Sequence, residues 1–203
     1  MEYRSMVNVI IHQCFPTNIH IIDMDLNEYD RNHMTNYIQN CCTNRHEGGP
    51  TTVDDTLYKI SFFKPLVNKI MVLTDQILKK DGYEFDSIEM TNMWGNELKK
   101  GEFHAPHTHS NNILSGVYYL KSGSPIQFFD PRPSASYFKP RNTPNWDNSN
   151  MVEFKSKVNT ALIFPSWLMH WVPPTSEDRM SISWNILVRG EYGEPNMLQN
   201  AHI

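Results

Sequence analysis

The chain has 203 residues, a net charge of -4 and three cysteines. That length suits one domain whose core needs no disulfides, and Cys14 with the adjacent pair Cys41-Cys42 makes neither a disulfide framework nor a CxxC zinc pattern. The acidic balance gives no overall pull on nucleic acid, no apolar run reaches the ~18 residues of a membrane span, and no signal-peptide pattern opens the sequence, so a cytoplasmic protein with reduced cysteines is expected.

In chain order, Val7-Asn8-Val9-Ile10-Ile11 and the stretch 19–22 have strand character, with Phe15-Pro16-Thr17-Asn18 as the turn between them. A helix is predicted over 26–42, capped by Asn27 or Asp30, followed by a loop over 43–55. Pro65 suits the first turn of a second helix running to about Lys80, and Asp81-Gly82 ends it. Leu66, Ile70, Val72, Leu73 and Ile77 would form its buried stripe. Beyond Tyr83 the pattern becomes β: short strands are predicted at 87–94, 101–109, 113–120, 125–129, 151–155, 160–164, 170–172 and 180–188. Two helices followed by about eight short strands suit a β sandwich or a rolled-up β fold. The Pro-, Asn- and Ser-rich insertion 131–150 is too long for a hairpin turn. It carries Arg132, Lys139 and Arg141 with Tyr137, Phe138 and Trp146, a set able to close over an acidic or aromatic substrate, or simply a solvated loop.

The chemistry concentrates in HAPHTH. His107 and His109, two apart, project from one face of an extended strand and can occupy neighbouring positions around a metal ion. His170, opening a later strand, is the natural third donor, and three neutral imidazoles suit iron, copper or zinc. His104 is a candidate for orienting a ligand or carrying a proton, and an alternative to His109 as ligand if the strand bulges. In RMSISWNILV, residues Arg179, Ser181, Ser183 and Asn185 share one face, and Met180, Ile182, Trp184 and Ile186 the other. A fixed guanidinium flanked by hydroxyls is what bidentate recognition of a small dicarboxylate requires, although a solvated strand face has the same pattern.

The order HTH, VYYL, FPSWLMHWVPP, RMSIS resembles the iron(II)/2-oxoglutarate-dependent oxygenases, nearest to the prolyl-hydroxylase-like group and a branch with an HxH…H metal motif. The resemblance runs from about Trp94 to Arg189. It implies a mostly β single domain over 1–203: N-terminal strands and helices (1–82) buttressing a double-stranded β-helix, or jelly-roll (83–190), with a tail at 191–203. It implies iron(II) at His107, His109 and His170, 2-oxoglutarate as cosubstrate, and dioxygen. Arg179 matches the residue pairing with the distal carboxylate of 2-oxoglutarate, Ser181 the hydroxyl two residues on, and Tyr119 a strand tyrosine reaching the same carboxylate; Asn185 continues that face as a cosubstrate-binding candidate. Trp94, Asn96 and Asp130-Pro131 resemble features of the branch without an assigned role. His109 stands where most of the superfamily has a carboxylate. Hydroxylation of a peptide side chain or a small amino-acid-like molecule is expected, without nucleic acid or membrane partners and with a homodimer open. The alternatives are a three-histidine dioxygenase that does not use 2-oxoglutarate, and a non-catalytic metal-binding jelly-roll.

Overall fold

The computed structural model describes residues 10, 14–42, 44–46, 49–132 and 140–203. The predicted strand at 7–11 falls almost wholly outside them, as does the stretch with Tyr137, Phe138 and Lys139. The elements are β1 (His20–Asp23), α1 (Glu28–Cys41), β2 (Asn44–His46), β3 (Gly49–Thr51), α2 (Lys64–Lys80), β4 (Ser87–Leu98), β5 (His104–His107), β6 (Leu114–Lys121), β7 (Ile126–Phe129), β8 (Met151–Phe154), β9 (Thr160–Pro165), β10 (His170–Val172), β11 (Arg179–Arg189), β12 (Glu191–Tyr192) and β13 (Ala201–His202). The strands form a seven-stranded sheet ordered β1-β9-β6-β11-β4-β3-β2, a four-stranded sheet ordered β5-β10-β7-β8, and a small ribbon of β12 and β13.

The helices start and stop where the local chemistry requires. The side chain of Asn27 accepts a hydrogen bond from the backbone N–H of Asp30 at 2.9 Å, satisfying one of the free donors at the start of α1. Pro65 lies in the first turn of α2, and Gly82 follows its end at φ +83°, a conformation glycine adopts without a Cβ clash. The buried side of α2 consists of Leu66, Ile70, Thr74, Ile77 and Leu78. Val72, expected in that stripe, is 58% exposed: it is two positions from Ile70 and Thr74, which turns it away from their face.

The large sheet is covered on both sides, so β6 is buried along nearly its whole length rather than on alternate residues. On the helical side, Tyr118, Leu120, Met180, Ile182, Trp184 and Ile186 join Met34, Ile38, Leu66 and Ile70 in the main core. On the other side, Val117, Tyr119, Leu162 and Phe164 meet Ile126 and Phe128 of the small sheet. Two β layers closed over their own core and buttressed by helices make the expected jelly-roll.

Three local expectations are corrected. The loop at 43–55 contains the β2–β3 hairpin, whose Thr51 pairs with Asn96 and so brings the N-terminal half to the edge of β4. The strand expected at 87–94 runs on to Leu98, because β4 pairs with β11 through to Arg179. The strand expected at 101–109 is only His104–His107, with His109 beyond its end.

Gly116 is required by close packing. A Cβ there would stand 2.2 Å from the fully buried indole of Trp184 and 2.9 Å from the Leu162 carbonyl oxygen. The Gly116→Ala substitution is expected to cost about 2 kcal/mol or more by overpacking, lowering the thermal midpoint by at least ~4 °C in a calorimetric scan.

Candidate metal and dicarboxylate site

The site lies between the two sheets. β10 runs antiparallel to β5 with His170 opposite His107, so the third histidine is not brought from across the fold but is the direct ladder neighbour of the first. The His107 and His170 ring centroids are 4.4 Å apart, and that of His109 is 5.2 Å from each. One ring nitrogen from each of the three lies within 4.8 Å of the others.

Each ring is fixed by its other nitrogen. Nδ1 of His107 is 2.7 Å from the Ala105 carbonyl oxygen, and Nδ1 of His170 is 2.9 Å from that of Leu168. Nδ1 of His109 is 2.5 Å from Oδ1 of Asn185. A carbonyl oxygen only accepts, so each Nδ1 carries the hydrogen, and Nε2 is left as a lone-pair donor on all three rings. The Asn185 oxygen also accepts from Ser115 Oγ at 2.8 Å, and Ser115 is 2.8 Å from Ser166 Oγ. The backbone N–H of His109 donates to the Ser166 carbonyl oxygen at 2.9 Å. These buried contacts hold His109 in place although it lies outside a strand.

A cavity of about 270 Å³ opens at the three histidines and is lined inward by His104, Val117, Ile126, Phe164, Val172, Arg179 and Ser181. Arg179 is 1% exposed and, among the described residues, is the cavity's only Lys or Arg side chain. Its Nη1 donates to Ser181 Oγ at 3.1 Å, and its Cζ lies 5.1 Å from the centre of the Tyr119 ring. Tyr119 therefore packs against the guanidinium and is not part of the cavity wall. Asn185 is likewise absent from that wall; it serves His109. Among the described residues, two cavity-lining side chains each have a buried polar atom with no hydrogen-bond partner, Arg179 Nε and His104 Nε2. Each such orphan costs about 1–3 kcal/mol unless something occupies it, and the guanidinium makes this end of the cavity electrically positive.

Burial favours the neutral form of His104, His109 and His170. It pushes His170 down to about 3, helped by the nearby His107, and pushes His104 down to about 3, helped by the charge of Arg179. His109 is lowered by burial against the opposing effect of its bond to Asn185. Neutral imidazole is the ligating form. The unfolded histidines protonate below about pH 6.5 while His104 and His170 in the fold do not, so the unfolded chain binds more protons there. Stability of the metal-free protein is therefore expected to fall as pH drops from about 6.5 toward 3, by up to ~1.4 kcal/mol per pH unit for each ring, with no such contribution above that window. Urea midpoints measured from pH 7.5 to 4.5 check this, and His170→Gln should flatten the slope.

A second cleft, of about 600 Å³, shares Trp94, His107 and His109 with the first and is otherwise walled by Thr91, Asn92, Thr108, Ser110, Asn111, Asn112, Asn185 and Leu187. Among the described residues, its lining includes no Asp, Glu, Lys or Arg. Trp94 Nε1 donates to Asn96 Oδ1 at 3.1 Å, and Asn96 Nδ2 donates to Ser183 Oγ at 3.1 Å, fixing the wall between the two spaces. Arg132 of the insertion is paired with Asp130 at 2.8 Å, and with Trp146 it borders a separate groove that shares no lining residue with either space. Sequence reasoning had no signal for Ser115, Ser166 or Thr51 in this region; Asn185 was visible through alternation, but not as the partner of His109.

Residues 92–185 match the model of the family described as "Putative 2OG-Fe(II) oxygenase". None of the curated proteins matches the chain. Among solved structures, a prolyl-4-hydroxylase from Pseudomonas putida is similar, with 13% identity over 84% of this chain and 93% of the other and a TM-score of 0.62. A viral collagen prolyl hydroxylase from Paramecium Bursaria Chlorella virus-1, in complex with 2-oxoglutarate, shows 13% identity over 83% and 94%, TM-score 0.56. A Trichoplax adhaerens prolyl hydroxylase in complex with a hypoxia inducible factor peptide fragment shows 15% identity over 82% of each chain, TM-score 0.58. Residues 92–185, which carry most of the jelly-roll and the histidine pair His107 and His109, thus match that oxygenase family's model, and the fold is the one these structures share. Iron(II), 2-oxoglutarate and dioxygen are the reagents that family implies, and the donor set fits them: three neutral nitrogens for the ion, one buried guanidinium for a dicarboxylate. Among the described residues no helix is long and apolar enough to cross a membrane.

Proposed function

We propose that the chain hydroxylates an uncharged peptide side chain or a small amino-acid-like molecule, with His107, His109 and His170 holding iron(II) and Arg179 with Ser181 holding the far carboxylate of 2-oxoglutarate. The observation that carries the reading is the alignment of three rings with free Nε2 atoms at the mouth of a cavity that ends in an unsatisfied, buried guanidinium. Iron with 2-oxoglutarate supplies the oxidation of a C–H bond by dioxygen, coupled to decarboxylation to succinate. The chain's own residues do the rest. Asn185, Ala105 and Leu168 set the ring orientations, and Arg179 orients the cosubstrate by its charge. Val117, Ile126 and Phe164 exclude water around it. The charge-free cleft beside His107 and His109 favours a neutral substrate, because a charged one would lose hydration there without a counter-charge.

The test is succinate release by the iron-loaded protein in the presence of ascorbate, with mass analysis of a library of neutral peptides and amino-acid amides. Succinate formed from 2-oxoglutarate, with a gain of one oxygen in a library member, is the expected result. Oxygen uptake that needs the metal but not 2-oxoglutarate would select the three-histidine dioxygenase instead.

A further inference from the structure

The cavity contains a second polar group besides Arg179 that no hydrogen bond among the described residues accounts for. His104 opens β5, and its strand partner is Val172, which also lines the cavity. Its Nε2 is buried and unpartnered, and it is not in the group of three rings whose nitrogens converge. His104 and Arg179 line the same cavity, and the guanidinium charge acts on the imidazole. We infer that His104 is a second anchor for the distal carboxylate of the cosubstrate, its imidazole N–H donating to one carboxylate oxygen while Arg179 pairs with the other. This rests on the 2-oxoglutarate reading and deepens it.

The chemistry favours this over a part in holding iron. A neutral imidazole offers one donor and adds no charge, so it satisfies a lone pair that a single Arg179–Ser181 arrangement leaves open and does not repel the guanidinium beside it. It also explains two orphans with one guest: a carboxylate oxygen accepting from His104 Nε2 and Arg179 Nε would leave neither buried donor unpaired. Such a paired anchor discriminates by shape. A keto acid with a methyl group in place of the far carboxylate would leave both donors unmet, and sites built on buried donors reject such analogues strongly.

The experiment is calorimetric titration of the anaerobic iron(II)-loaded protein with 2-oxoglutarate and with 2-oxopentanoate, which keeps the chain length but lacks the distal carboxylate. His104→Leu is expected to weaken 2-oxoglutarate about tenfold while changing 2-oxopentanoate by less than twofold and leaving iron content intact. His104→Asn, which keeps an amide N–H, should recover part of the loss. Equal weakening of both ligands, or no weakening of either, overturns the assignment. Loss of iron from His104→Leu overturns it too, since the residue would then be a metal ligand. If the unmodified protein binds no 2-oxoglutarate, the cosubstrate reading itself fails, a result distinct from the others.

Discussion

Replacing His170 by alanine is expected to lower iron(II) affinity at least a hundredfold, so that the purified variant, dialysed and analysed for metal, retains almost none. His170 is the buried member of the cluster, 4% exposed, and its ring is locked by the 2.9 Å contact with the Leu168 carbonyl oxygen. Without it His107 and His109 remain as two neighbouring donors at the open end, and two neutral nitrogens compete poorly with water for a divalent ion. His33→Ala, at a ring that packs beside Tyr29 on α1, is the control and should leave metal content unchanged. Stoichiometric iron in the His170→Ala protein would show that the three rings are not the binding site. The near-ultraviolet circular dichroism, to which the fully buried Trp184 contributes, reports whether the core has survived.

The second large effect belongs to Arg179 and has opposite signs for binding and stability. Arg179→Met keeps most of the side-chain volume and removes the only Lys or Arg charge that the described residues bring to the cavity. Truncating one member of a buried ion pair typically costs about 3–5 kcal/mol, so 2-oxoglutarate binding should weaken by between a hundredfold and a few thousandfold. The free protein should respond the other way. Arg179 is buried with Nε unsatisfied among the described residues, its other contacts including Ser181 Oγ and the face of Tyr119, an arrangement that costs the fold energy until a carboxylate arrives. The variant is expected to unfold at a higher urea concentration than the parent in the absence of ligand, and the order should reverse when saturating 2-oxoglutarate is added. A variant that is less stable in both conditions would mean that the guanidinium is structural.

Much of this site was legible in the sequence, for reasons that can be located. The period-two pattern of β11 put Arg179, Ser181 and Asn185 on one face and Trp184 with its apolar neighbours on the other, and the packing follows that division. HTH marked two ligand candidates because strand geometry carries alternate side chains to one side, and the pair does converge even though the strand stops at His107. What stayed hidden depends on distant pairing. Nothing local to HWV shows that it lies beside HAPH, and nothing in the short β2–β3 hairpin shows that Thr51 reaches the edge of β4. Asn185 is the instructive case: alternation gave its face, but six residues of extended strand, roughly 20 Å, separate it from Arg179, and it meets His109 instead. Val72 failed for the opposite reason, since a hydrophobic residue inside a helical run was credited to a stripe that its angular position does not reach.

The pairing of His107 with His170 has one more consequence. β5 is an edge strand four residues long, it contains Pro106, which donates no backbone hydrogen bond, and its ladder is broken by a register shift between His170 and Val172. By itself such a strand frays. An ion shared by His107, His109 and His170 would act as a staple across that weak seam, tying the strand's end to the next segment of the jelly-roll. Amide hydrogen exchange at residues 102–110 should slow markedly on iron loading while β4 and β11 hardly change, so that filling the site also completes the last stage of folding.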